Sequence, residues 1–194
     1  MINDKIWNTG LSLNDYIIKM DTYQKEMIQR INDIRITSAE FQRLKTLDKK
    51  RNILVLTESG CRDSLMNLPI LAKIVEAAPC LNLKLFTRSE NRELTEFFAL
   101  KGIHNIPVCW VMNDDFSYCG HWVERPKPAY RKIEEWKKEN PEYDLIKSDM
   151  IISEAERASI LKPWSEKLLD EMWNWYDTGL QSDTIREIQN ILLS

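Results

Sequence analysis

The sequence predicts an α/β fold, and three observations carry that reading. The apolar run Ile53-Leu54-Val55-Leu56 is followed by a helical pattern at Leu65, Leu68, Leu71, Ile74 and Val75. A second extended segment and a second helical segment come next, and two short extended segments then flank Asn113-Asp114-Asp115. Strand, helix, strand, helix and hairpin in that order make the first two strands parallel, because a helical crossover returns the chain to the same end of the sheet.

Each element has its own local signal. Between Ser12 and about Ile34, Tyr16, Met20, Tyr23, Met27, Ile31 and Ile34 recur three and four apart behind the pair Ser12-x-x-Asp15, which predicts one long amphipathic helix. Thr37-x-x-Glu40 opens a shorter helix through Leu44 and Leu47, and Asp48-Lys49-Lys50-Arg51 reads as a solvated turn. Strands are expected at 52–57, 81–87, 108–112 and 117–123, with helices at about 62–77 and 90–101. Beyond Pro126 and Pro128, the stripe Tyr130, Ile133, Trp136 and Lys137 predicts a covering helix that ends before Asn140-Pro141. Ser153-x-x-Glu156 starts another helix, which Pro163 is expected to break. Trp164, Leu168, Met172, Trp173 and Tyr176 continue as a packing stripe toward Gly179 as C-cap, with Trp175 off the stripe and available for a partner or dimer contact. Asp183 caps a last helix bearing Ile185, Ile188, Ile191 and Leu192. The resulting partition is a helical N-terminal extension at 1–50, a core at 51–140 and a helical C-terminal extension at 141–194.

Composition excludes several function classes. With 194 residues and 43% hydrophobic content, the chain can bury a core without disulfides. Lys plus Arg at 27 against Asp plus Glu at 30 gives a net charge of −3, which offers no basic footprint for nucleic acid and no attraction to anionic lipid. The first residues carry no apolar signal core, and no run of about 18 apolar residues occurs, so a soluble cytoplasmic protein is expected. Cys61, Cys80, Cys109 and Cys119 lie 19, 29 and 10 positions apart without CxxC pairs. Free thiols in a reducing compartment follow, with neither a metal site nor a cofactor.

Cys61 is the residue with chemistry to offer. It stands where the first strand hands over to a helix, and the unpaired N–H groups of a first helical turn favour a thiolate there. Arg62 adds a cation and Asp63 opposes it, so a net downward shift of the thiol pKa is expected. Ser64, three positions on and on the same helix face, can donate a hydrogen bond to the sulfur. Glu58 is expected in solvent at the strand end. His104 and His121 are the only histidines, and His104, near the proline loop, reads as an exposed loop residue rather than as the activator that a cysteine hydrolase needs.

These residues resemble the thioredoxin superfamily over about 52–126, and more narrowly a bacterial thioredoxin-like branch with a helical N-terminal region and a Trp-Cys-Gly-Asp type site. The cysteine follows an apolar strand, and Pro69 lies eight positions beyond it, where the family's active-site helix has its kink proline. Gly102-Ile103-His104-Asn105-Ile106-Pro107 is similar to the approach to the family's cis-proline. Gly120-His121-Trp122-Val123-Glu124-Arg125-Pro126 resembles the closing hairpin strand and its exit, and Trp7-x-x-Gly10-Leu11 through Asp15-Tyr16 the branch's lead-in. The resemblance implies a thioredoxin-like fold, a central mixed sheet flanked by helices, with helical N- and C-terminal extensions. It also implies that Pro107 is cis and faces Cys61, and that Ile106 presents its backbone to an extended substrate, with Arg62 beside it.

The departures from that pattern narrow the chemistry. Gly60 replaces the usual tryptophan, Arg62 the glycine, and Ser64 the second cysteine, while the family's buried acid, six positions before the nucleophile, is Val55 here. A serine hydroxyl cannot accept a sulfur–sulfur bond, so mixed disulfides made by Cys61 wait for an external thiol. Cys109 shares a strand face with Pro107 and is either an inert core thiol or a second thiol, the latter requiring its Cα within about 7 Å of that of Cys61. Two function classes result. One is a CxxS monothiol protein exchanging disulfides with a disulfide-bearing protein or a low-molecular-weight thiol in cell redox homeostasis. The other is a redox-inactive thioredoxin-like module that binds a protein. A homodimer through the helical extensions is compatible with both.

Overall fold

In a computed structural model describing residues 2–149 and 151–194, the sheet is mixed and four-stranded, in the order β2-β1-β3-β4. β1 (Arg51–Thr57) runs parallel to β2 (Leu81–Thr87) and antiparallel to β3 (Val108–Asn113), and β4 (Tyr118–Val123) closes the hairpin on β3. All seven residues of β1 are buried, which is what a strand with neighbours on both edges and cover on both faces requires. Ser117 N–H donates to Asp115 Oδ1 and Asn113 N–H to the Ser117 carbonyl, which tightens the turn between β3 and β4.

One face of the sheet packs a cluster of Leu54, Leu56, Phe86, Val108, Trp110 and Met112 against Leu94 and Phe98 of one helix, Trp7 of another, and Ile2 just before that second helix. The helices are α6 (Arg92–Ala99) and α1 (Asp4–Trp7). α1 has no counterpart in the sequence reading. It exists because Asn3 caps it by accepting the Ile6 N–H at 3.1 Å and because Ile2 and Trp7 find this cluster.

The long helix expected between Ser12 and Ile34 is two helices. α2 (Leu13–Lys19) and α3 (Gln24–Asp33) are separated by Met20, which is extended, and by Tyr23, whose φ is 59°. Gln24 Nε2 donates to the Ile17 carbonyl at 2.7 Å and so closes the end of α2. The apolar spacing could not reveal the break, because Tyr16, Met20, Met27 and Ile34 are buried on both sides of it. Burying each is worth about 1.5–3 kcal/mol, which outweighs a few helical hydrogen bonds worth about 1 kcal/mol apiece. α4 (Ser38–Leu44) begins at a complete Thr37–Glu40 capping box.

α5 (Arg62–Ala77) follows β1, with Pro69 inside it. Most of its residues are buried, and its capping sulfur is described below. The chain forms two compact units, Met1–Arg125 with Thr184–Ser194, and Pro126–Asp183. These boundaries differ from the partition at 50 and 140, because the N-terminal helices and the chain's last segment group with the sheet.

In the second unit, α7 (Lys127–Glu139) ends at Asn140, whose amide donates to the Trp136 carbonyl at 2.7 Å, and α8 (Pro141–Ser148) follows at once. Trp136 and Tyr143 meet edge to face at 5.2 Å. α9 (Glu154–Trp175) starts at a complete Ser153–Glu156 capping box and passes through Pro163 without a break. Pro163 is exposed, and the burial of Leu168 and Met172 further along keeps the turns in register. Gly179, expected as a C-cap, leaves helical geometry (φ 159°, ψ −36°) and kinks the chain within 176–180, directly before α10 (Gln181–Leu192).

Within the first unit, the last helix ties several elements. Thr184 Oγ1 donates to Asn67 Oδ1 at 2.9 Å, Trp122 Nε1 to Glu187 Oε2 at 2.8 Å, and Gln189 Nε2 to the Glu40 carbonyl at 2.9 Å. The open edge of β2 is covered by a two-bond bridge between Leu11 and Leu85. Gly10 makes that approach possible, since a Cβ there would lie 2.5 Å from the Phe86 ring and 2.8 Å from Lys84 Cβ. Gly10→Ala is therefore expected to destabilise the protein by about 1–3 kcal/mol, measured as a lowered denaturation midpoint in urea. An unchanged midpoint would refute the close approach.

Candidate functional site

β1 ends at Thr57, and Cys61 N–H donates to the Glu58 carbonyl at 3.1 Å, which turns the chain into α5. Cys61 is the N-cap of α5: its backbone is extended (φ −84°, ψ 117°), and its Sγ accepts the Ser64 N–H at 3.4 Å. A sulfur thus occupies the position that a serine or aspartate oxygen usually fills. The same sulfur donates to the Ile106 carbonyl at 3.5 Å. The Ile106–Pro107 peptide bond is cis, and both residues are buried.

Ser64 is only 1% exposed and also hydrogen-bonds the Cys61 sulfur through its side chain. Its Oγ accepts the Thr57 hydroxyl at 2.8 Å, which leaves the Ser64 proton for the sulfur. Tyr16 lies on the other side of Thr57. Its phenol is buried, without a hydrogen bond of good geometry, although the Thr57 hydroxyl lies close enough to favour the phenolate. Burial pushes the Tyr16 pKa up to about 12, and the neighbouring charges of Glu58, Cys61 and Asp21 act in the same direction.

The Cys61 thiol departs from its expected direction. Burial pushes it above its ordinary value of 9.0, and the nearby Asp63 carboxylate adds to the rise, while the Ser64 side chain, the Ser64 amide and the Asp63 amide pull the other way. Desolvation outweighs the helix N-terminus because the sulfur is only half-exposed and its donors are few. Cys61 is a thiol at neutral pH.

Arg62 is half-buried, and its charge acts on Asp63. Burial raises the Asp63 carboxyl to about 6, against the pull of Arg125 and Arg62. Val55, in place of an acid, is fully buried and pairs with Cys109 across β1 and β3. Cys109 is 2% exposed, and burial pushes its thiol up to about 12. Cys61 packs against the cluster that holds Val108, Trp110 and Met112, whereas Cys109 alternates to the opposite strand face.

Glu58, His121 and Trp175 have structural partners. Glu58 is half-buried, and its Oε2 accepts the Ser89 N–H at 2.9 Å, so it ties the end of β2 to the end of β1 rather than standing in solvent. His104 is exposed in the loop before Pro107. His121 stacks on Trp110 with ring centres 5.5 Å apart and hydrogen-bonds the Tyr118 hydroxyl at 2.6 Å. Trp175 lies under the Lys132 ammonium at 5.6 Å. Among the described residues, no group of three His, Cys, Asp or Glu side chains is arranged to hold a metal ion.

A family model described as Thioredoxin matches residues 10–137. The chain belongs to the thioredoxin family. No curated protein matches the chain. Among solved structures, a protein of unknown function from Pseudomonas aeruginosa is 18% identical, with a TM-score of 0.67 over 99% of this chain and 98% of that one. An HIV epitope-scaffold is 17% identical, with a TM-score of 0.65 and 98% of each chain covered. At these identities the likeness is one of fold, and it is the thioredoxin-like fold: a four-stranded mixed sheet flanked by helices, with helical extensions. Among the described residues, no helix is long and apolar enough to cross a membrane.

The thiol, the serine and the proline loop that the sequence singles out lie together here, and Tyr16, Thr57 and the charged groups beside Asp63 join them without a sequence signal for that placement. In the sequence, Tyr16 reads as a member of a helical stripe and of the branch's lead-in, and Thr57 as a strand end. For the sulfur, the expected pH behaviour is that alkylation of Cys61 by iodoacetamide keeps accelerating above pH 9.0 without levelling there, because its pKa lies higher. Ser64→Ala removes a donor to the thiolate and is expected to raise the pKa further. Asp63→Asn removes a repelling charge and is expected to lower it. Thiolate absorbance near 240 nm against pH reads both shifts, and shifts of the opposite sign would refute the assignment of these two neighbours.

Proposed function

We propose that this protein is a monothiol thiol–disulfide exchange protein of the bacterial thioredoxin-like branch, working in cytoplasmic redox homeostasis through its CxxS site. The single observation that supports the reading most is the position of Cys61 Sγ, at the start of α5 and 3.5 Å from the carbonyl of the residue before the cis-proline. A disulfide in an extended segment laid along Ile106 and Pro107 would meet the sulfur there, with backbone hydrogen bonds as in an added strand. Arg62 flanks the same opening.

The exchange step is balanced without a cofactor. Cys61 loses its proton to solvent, its sulfur attacks one sulfur of the disulfide, a Cys61–S–S bond forms, and the other sulfur leaves as a thiolate that takes a proton from water. Ser64 donates to the Cys61 sulfur while it is charged but cannot displace the substrate. Release requires an external low-molecular-weight thiol, whose thiolate attacks the substrate-side sulfur of the mixed disulfide and forms a new disulfide with it, while Cys61 leaves as a thiolate and takes a proton from water. A thiol with a raised pKa is a poor leaving group, so the adduct is long-lived. The partners are accordingly a disulfide-bearing protein and a low-molecular-weight thiol.

One observation favours the second reading, a redox-inactive thioredoxin-like module that binds a protein: burial raises the Cys61 pKa, the opposite of what activates a nucleophile. Incubation of the full chain with oxidised glutathione, followed by intact-mass and peptide analysis, separates the two. The exchange reading expects one glutathione on Cys61, absent in Cys61→Ser, stable after free disulfide is removed and released by added thiol. It also expects no insulin reduction, because Ser64 replaces the resolving cysteine. Absence of any Cys61 adduct after prolonged incubation would leave the binding module as the reading.

A further inference from the structure

Three charged side chains meet beside Cys61 in a space nearly closed to water. Arg125 Nη2 lies 2.6 Å from Asp63 Oδ2 and 2.5 Å from Glu124 Oε1, with the Asp63, Arg125 and Glu124 side chains 12, 13 and 14% exposed. One guanidinium faces two carboxylates, and Asp63 Oδ1 has no hydrogen-bond partner. Buried ion pairs of this kind are weak sources of stability, because desolvation cancels much of the attraction. What the group holds together is more telling than what it contributes to stability.

It holds two segments. Asp63 belongs to the first turn of α5, two residues beyond the reactive sulfur. Glu124, at φ 66°, grips the proline loop twice: its N–H donates to the Pro107 carbonyl at 2.8 Å, and its Oε2 accepts Asn105 Nδ2 at 2.7 Å. Asn67, one turn along α5, donates to the Asp63 carbonyl at 2.9 Å and to the Glu124 carbonyl at 3.3 Å. A continuous run of contacts therefore leads from the start of α5 to the residues on either side of Ile106, whose carbonyl takes the Cys61 S–H.

We propose that Asp63, Arg125, Glu124 and Asn105 form a buckle that fixes the proline loop over the start of α5, holds the Ile106 carbonyl on the Cys61 thiol, and so keeps the sulfur shielded until the loop moves. The buckle rests on the exchange reading only for what the sulfur does once released. Glu124, Arg125 and Asn105 are positioning residues, since they act on the sulfur through the loop. Opening the buckle removes the acceptor for the thiol proton and admits water, and both changes favour the thiolate. The donors from Ser64 stay in place.

Asn105 is exposed, so its side chain can be changed without disturbing the core. Asn105→Ala cuts one link and alters no charge, Asn105→Asp sets a like charge against Glu124, and Asn105→Gln restores the amide donor. In the full chain, iodoacetamide modification of the Cys61 peptide is followed by mass spectrometry across a pH series. Asn105→Ala is expected to react about five- to tenfold faster at neutral pH, with its midpoint moved down by up to about one unit, and Asn105→Asp faster still, while Asn105→Gln returns to within about twofold of wild type. Arg125→Lys keeps the charge but loses the planar fork, and is expected to shift in the same direction as Asn105→Ala. Wild-type rates and midpoints in Asn105→Ala, Asn105→Asp and Arg125→Lys, each folded by circular dichroism, overturn the buckle. Alkylation requires no disulfide. Accelerated alkylation in the variants of a protein that forms no Cys61 mixed disulfide therefore upholds the buckle and overturns the exchange reading.

Discussion

The Cys61 sulfur takes part in hydrogen bonds of opposite sense, and only the protonated form can both accept and donate. It accepts from Ser64 and donates to Ile106. A thiolate keeps the first and must lose the second, after which its charge stands 3.5 Å from a carbonyl oxygen. Ionisation and the seating of the proline loop are therefore coupled through a single atom. Deprotonation of this sulfur gives up the hydrogen bond to the Ile106 carbonyl, whatever the identity of the reacting partner.

The rest of the first unit is built to keep that atom where it is. β1 is buried along its whole length and delivers Thr57 to a fixed place, and the Thr57 hydroxyl fixes the Ser64 hydroxyl. Val55 leaves the interior behind the site without an acid, and Cys109 sits on the opposite strand face with its proton firmly held. Tyr16 fills the remaining space with a hydroxyl too deeply buried to ionise near neutral pH. Burial favours the neutral forms of Tyr16, Cys61 and Cys109, and the charges beside the sulfur include Arg62 and the cluster around Arg125.

Much of this was legible in the residues. The alternation of apolar runs and helical stripes marks all four strands to within a residue or so, and Cys61 at the junction of β1 and α5 needs no structure to be noticed. What periodicity could not show are the events that leave it intact: the turn at Met20–Tyr23 keeps the buried stripe in phase across two helices, and Pro163 sits on an exposed side where its missing N–H costs little. The direction of the Cys61 pKa shift failed for a different reason. A helix N-terminus is visible in a sequence, but desolvation depends on what covers the sulfur, and the cover comes from Ile106, more than forty positions away. Likewise Asp63, Asn105 and Glu124-Arg125 are spread over three segments, and no spacing rule joins them.

The return of the chain to its first unit has a consequence for the order of events during synthesis. Thr184 supplies the partner of the Asn67 carbonyl oxygen, and Ile191 packs against the face of Gly120. Both contacts belong to a stretch translated after the whole of Pro126–Asp183. While a ribosome is still adding that intervening stretch, Asn67 Oδ1 waits for its Thr184 donor and Gly120 of β4 for the cover of Ile191, so the earlier-translated unit is completed only after the later one has been made.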